Sequence, residues 1–294
     1  MIKVLHRSEM PIVSIHVDEF FNFYYHVTGL FPESFGPFSL QRCSIDPRHN
    51  DKYGHVKTRS SEEAMRTLSG LGWASRDPLE VKLLLKCETP PIDSYGGALA
   101  WRELYTETIE SFRSIWRSEL REKLSLYAEK FSMAWDPISE DVLMNLSRFS
   151  KGSWPLPQID IYVIDCLRGG TNTSAGVIIP SNPDLDVEKK LLTHELAHLL
   201  VSESSIRDLL KTLGLRIGGL NDTAHAIVDY IAYISARDHF VNPSRKGLKP
   251  NPDYFEEEFD LYQAFEEYAK TSSSYDTLEN FVMYAVNQFP RRRP

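Results

Sequence analysis

The chain has 294 residues, 42% of them apolar, and its 33 basic and 41 acidic side chains leave a formal net charge of −8. This composition excludes a disordered chain and allows a sizeable core. No run of about 18 uncharged apolar residues occurs and no basic stripe is present, so neither a membrane span nor a nucleic-acid partner is expected.

The N-terminal MIKVLHRSEMPIVSIHVDEFF lacks the apolar stretch and cleavage site of a signal peptide, which points to a cytoplasmic protein. Residues 18–30 are aromatic-rich, and FPESFGPF (31–38) should end any helix there. The rings of Phe20, Phe21, Phe23, Tyr24 and Tyr25 are read as core rather than as a binding groove. The polar stretch 44–61 reads as a loop, with His49 and His55 as surface residues rather than a second metal site. Residues 78–87 (PLEVKLLLKC) fit a short helix or a buried strand. Apolar steps of three and four from 98 to 135 predict one long amphipathic helix or a close pair, and Asp136-Pro137 starts a new segment, a helix over 139–149 capped by Ser139. Residues 1–150 thus form a mainly helical N-terminal region.

The texture changes at KGSWPLPQ (151–158). A strand is predicted over 159–165, a loop over 166–175 and a second strand over 176–180. Asp186 is the expected N-cap of a helix from 187 to 201, and Asn221, Asp222 or Thr223 caps another that ends near Ala236. Beyond the Pro- and Lys-rich link 242–253 come helical stretches at 254–270 and 277–289, where Glu256 to Glu258 and Glu266-Glu267 face solvent. The fold class is α+β, mainly α, divided as 1–150, 151–246 and 247–294. Cys43, Cys87 and Cys166 are odd in number and outside any CxxC pair, so buried thiols are expected rather than disulfides or a thiolate site.

Chemistry is concentrated in His194-Glu195-Leu196-Ala197-His198, an H-E-x-x-H match that chance alone would place in roughly one such chain in fifty. Residues four apart lie on one helix face, so His194 and His198 can offer two imidazoles to one zinc ion beside Glu195. The surrounding Leu191, Leu192, Leu196, Leu199, Leu200 and Val201 mark a buried helix, in which three polar groups need a ligand or partners. The next helix repeats the pattern with His225 and Asp229. The economical arrangement makes His225 the third ligand and Asp229 the acceptor of a ligand histidine's free N–H; the alternative has Asp229 on the metal. Glu203 is read as too close along the first helix to turn back onto the ion. Tyr233 and His239 are candidates for stabilising an oxyanion.

With these residues in place the chain resembles the zincin metallopeptidases, and their gluzincin branch in particular, whose H-E-x-x-H helix is followed by a helix bearing E-x-x-x-D. Here that pair is His225 and Asp229, so the spacing matches while the ligand type departs. The metzincin extension and the aspzincin GTxxxxYG signature are absent. The resemblance covers 159–236. It implies a zincin-like core, Zn2+ as cofactor, peptide or protein substrates, and an edge strand at 175–179 along which substrate is laid. It also implies a zinc-activated water with Glu195 as general base. The competing reading is a non-catalytic zincin-fold binding or regulatory protein with a structural zinc.

Overall fold

The computed structural model describes residues 10–31, 45–214, 220–240 and 261–289. Cys43, the link 242–253, the acidic run at 256–258 and the first part of the helix expected at 254–270 lie outside them. The described chain is mainly helical, with one small mixed sheet. Its contacts divide it into two units, residues 13–132 with 160–183, and residues 1–12, 133–159 and 184–294. This is not the expected division at 150 and 246, because the segment around the sheet returns to the unit built by the first half of the chain.

In the sheet-bearing unit the strand order is β1 (Ile12–His16), β2 (Gln158–Ile164), β4 (Gly176–Pro180) and β3 (Thr171–Thr173). Along β2 buried and partly open residues alternate, whereas β4 is buried from Val177 onward. β2 and β4 run parallel with Ile161 opposite Val177, and β3 returns antiparallel with Thr173 opposite Gly176. The segment 175–179 is therefore not at an edge, contrary to expectation. Three polar residues are too few to show strand periodicity, yet Thr173 closes the turn, its Oγ1 accepting from Ala175 N at 3.2 Å and donating to Gly176 O at 3.1 Å. Gly176 holds φ +143, and a Cβ there would meet Asp160 O at 2.1 Å. Gly176→Ala should accordingly cost about 2–5 kcal/mol in denaturant unfolding through strain and clash, and a loss under ~1 kcal/mol would refute this placement.

Against the sheet lies α1 (Glu19–Gly29), capped by Asp18, which accepts from Phe21 N at 3.0 Å. The helix is buried almost all round. Phe21 stacks on Tyr162 at 4.2 Å and Tyr24 on Trp101 at 5.4 Å, so the aromatic run is core. Buried Asn22 joins helix to strand, donating to Val163 O at 3.0 Å and accepting from Asp165 N at 3.3 Å.

The region read as a loop contains α2 (His49–Tyr53), after which α3 (Arg59–Gly70) starts with a Thr58–Ser61 capping box. His49 is buried, not a surface residue, while His55 is exposed. The undecided segment is a helix, α4 (Pro78–Lys86), because Asp77 caps it and Pro78 stands at its first position. Cys87, at its end, is only partly buried, and Cys166 is fully buried. Burial drives the pKa of His26 down to about 3, so that ring is neutral.

Helix α5 (Tyr95–Ile115) passes through a single π turn, Trp116–Leu120, into α6 (Arg121–Ser150). Pro137 does not start a new helix as expected but sits inside α6. Trp135, Val142, Leu146 and Phe149 keep one buried face across it, and that packing outweighs the lost backbone bond.

The other unit holds the end of α6 with α7 (Leu185–His198), α8 (Glu203–Thr212), α9 (Leu220–Ala236), α10 (Leu261–Thr271) and α11 (Leu278–Gln288). Helix α9 packs on α7, α8 and α10 around Leu192, Leu196, Ile206, Leu210, Ile227 and Ile231. Tyr268 stacks on Phe281 at 4.0 Å and donates to Phe149 O at 2.7 Å, fastening the C-terminal helices to α6. Helix α9 begins before the expected caps, so Thr223 lies in its first turn; the side chains of Asn221 and Asp222 lie outside the described residues. No helix among the described residues is long and apolar enough to cross a membrane.

Candidate metal centre

Asp184, not Asp186, caps α7, accepting from Asp186 N and Val187 N, so the helix starts two residues before the expected position. It also ends earlier, at His198, where the chain turns over residues 199–202 and Ser202 caps α8 by accepting from Ser205 N at 3.3 Å. That reversal carries Glu203, the first residue of α8, back beside the last turn of α7. The expectation that Glu203 stands too near along one continuous helix is thus corrected, because there is no continuous helix.

His194 and His198 lie one turn apart on α7, and their Nε2 atoms face each other at 2.9 Å. Across a tetrahedral zinc with N–Zn bonds of the usual length two nitrogens stand about 3.3 Å apart, so this pair is close to the spacing of two ligands on one ion. The outward nitrogens are engaged by carboxylates. Asp229 Oδ1 lies 2.8 Å from His194 Nδ1, and Glu203 Oε1 lies 2.8 Å from His198 Nδ1. A carboxylate beside each outward nitrogen favours the tautomer that leaves Nε2 with its lone pair, although the approach of Asp229 to His194 Nδ1 is not aligned as a hydrogen bond.

His225 comes from α9, one turn before Asp229, and its ring centroid is 4.8 Å from that of His194 and 5.0 Å from that of His198. Its Nδ1 lies 3.5 Å from the same Glu203 carboxylate. The ligand atoms of the three histidines lie within 4.8 Å of one another. Asp229, the alternative ligand, is occupied with His194 instead. Exposure is graded: the His194 side chain is 11% exposed and that of His225 is 51% exposed, so the group opens at His225.

The electrostatics suit a cation. Hydrogen bonds from His198 and His225 hold Glu203 well below the usual carboxylate range. Burial pushes Asp229 upward, but the close contact and charge of His194 together with the charges of Lys190 and His225 outweigh it, and the net shift is downward. Glu195, buried on the same helix, is pushed up by desolvation against the pull of the three imidazoles. His225 is raised chiefly by its hydrogen bond to Glu203. Three imidazoles with three carboxylates around them are a group that could hold a divalent metal ion.

Among the described residues no hydrogen bond, ion pair or ring contact joins Tyr233 or His239 to the imidazoles. The groups acting on the Tyr233 phenol, after its own burial, are Tyr262, Glu266, Arg237 and Asp238, none of them part of the cluster. Eight residues beyond His225 is about 80° round a helix, enough to turn Tyr233 to another neighbour. His239 faces Asp141 at 3.8 Å. Glu203 is the residue that sequence reasoning missed, and Ser202 as an N-cap was the available signal. Comparison with protein-family models, curated proteins and solved structures found no match to this chain.

Proposed function

We propose that the protein is a zinc-dependent peptide-bond hydrolase acting on peptides or proteins in the cytoplasm, with His194, His198 and His225 holding the ion and Glu195 as general base. The observation that carries this reading is the pair of Nε2 atoms 2.9 Å apart, each ring anchored from behind by a different carboxylate, with His225 alongside. The arrangement supports the gluzincin resemblance in its helix pair, with a histidine where that branch has glutamate.

When bound, zinc supplies a Lewis acid that polarises a carbonyl and acidifies the water at its open position. Glu195 is the residue that moves protons: it takes one from the attacking water and delivers it to the departing amine. Asp229 and Glu203 orient the imidazoles and would offset the charge of the ion, and the exposed side of His225 is where substrate enters.

The test is reversible metal removal. Full-length protein stripped with a chelator should stop cleaving a mixed peptide library and resume when zinc is restored. Cleavage that survives chelation, or zinc-loaded protein that cleaves nothing in the library, overturns the reading.

A further inference from the structure

Among the described residues a second group of metal-ligating side chains lies in the sheet-bearing unit: His26 of α1, His49 of α2 and Cys166, just past the end of β2. All three are buried, with His26 3% exposed, His49 3% and Cys166 2%. Their ligand atoms lie within 4.8 Å of one another. The segment carrying His49 is tied to Cys166 through the backbone, since Asp46 N donates to Cys166 O at 2.8 Å and His49 N to Asp46 O at 2.9 Å.

The hydrogen bonding of these rings is incomplete. His49 Nε2 donates to His26 O at 2.7 Å, which leaves Nδ1 as the nitrogen with a lone pair, and Nδ1 is buried without a partner. Both ring nitrogens of His26 are likewise buried without a partner. Unpaired polar atoms in an interior are costly, whereas a metal ion would use them. The close approach depends on Gly29, where a Cβ would meet His49 Cδ2 at 2.9 Å.

We propose that His26, His49 and Cys166 form a second metal site, separate from the imidazole cluster of α7 and α9, for a borderline-soft divalent ion such as zinc. Two imidazoles and one thiolate are a donor set for zinc, and tetrahedral coordination at ordinary bond lengths needs ligand atoms about 3.3–3.6 Å apart, so no pair has to close by more than about 1.5 Å. The carbonyl of His26 fixes the tautomer of His49 as an outer partner should. Binding displaces the thiol proton of Cys166, which leaves to solvent. His49 and Cys166 line a cavity of about 520 Å3, which supplies an entry path and room for a fourth ligand.

Cobalt(II) separates the two sites, because a thiolate-to-cobalt charge-transfer band in the near ultraviolet arises only where sulfur is a ligand. The probe is Co2+ titrated into metal-stripped, full-length protein carrying His194→Ala and His198→Ala, with folding checked by circular dichroism. The expected result is one bound equivalent with the band. It should persist when Cys43→Ser and Cys87→Ser are added, which leaves Cys166 as the chain's sole thiol, and vanish with Cys166→Ala. X-ray absorption on the zinc-loaded form should place one sulfur at about 2.3 Å. Cobalt bound without the band, or no binding by the folded His194/His198 variant, overturns the second site and leaves the hydrolase reading to its own test.

Discussion

Glu195→Gln is expected to bind as much zinc as the native chain and to lose peptide hydrolysis by about 10²- to 10⁴-fold or more, the usual contribution of a positioned proton-transfer group. The two halves of the result come from different atoms. Glu195 is not in the ligand group, so the amide should leave His194, His198 and His225 in place. Glutamine is close to isosteric with glutamate and stays neutral, which removes proton transfer while keeping the packing of a side chain that is 6% exposed. His194→Ala should do the opposite and cost one equivalent of zinc together with activity. A Glu195→Gln protein that hydrolyses peptides at the native rate would remove Glu195 from the chemistry. If it lost metal along with activity, the carboxylate would be holding the ion instead.

The parts of the site visible in the sequence are those whose geometry is local. His194 and His198 share a face because a helix turn is fixed, and His225 and Asp229 stand out as the same interval on a second apolar helix. The α7–α9 contact then brings these two pairs together. Glu203 was hidden because Leu199, Leu200 and Val201 look like more helix, whereas tertiary packing ends the helix at His198 and leaves Val201 buried in the turn. Helix boundaries depend on such caps more than on hydrophobic period.

His49 was hidden for a different reason. Its neighbours in sequence are polar, and its burial comes from His26 and Tyr53, whose ring centroids lie 5.0 Å and 4.9 Å away, and from the bond to a carbonyl 23 residues back along the chain. No periodicity within 44–61 carries that information. The strand β3 escaped in the same way, since three residues that pair with β4 owe their conformation to the partner strand rather than to their own propensity. Pro137 shows local preference yielding to packing, as the buried face of α6 continues across it. The fold class and the H-E-x-x-H helix depend on composition and period, so they were legible, while the order of strands and the second histidine group were not.

The two anchoring carboxylates offer the sharper test of how the imidazole cluster is built. Asp229→Ala and Glu203→Ala should each retain the ligand set but weaken zinc by about 10- to 100-fold, the usual cost of removing a group that holds a metal-bound histidine. His225→Ala should weaken binding further, because a ligand itself is gone. Asp229 touches His194 and Glu203 touches His198, so the losses act on different rings, and the double variant should approach their product, about 10²- to 10⁴-fold. Some shortfall is expected because Glu203 also reaches His225 at 3.5 Å and so couples two ligands. Competition of each full-length variant against a chelating dye gives the affinities. If Asp229→Ala proved costlier than His225→Ala, the assignment would reverse, with the aspartate as third ligand and His225 as a bystander at the open mouth.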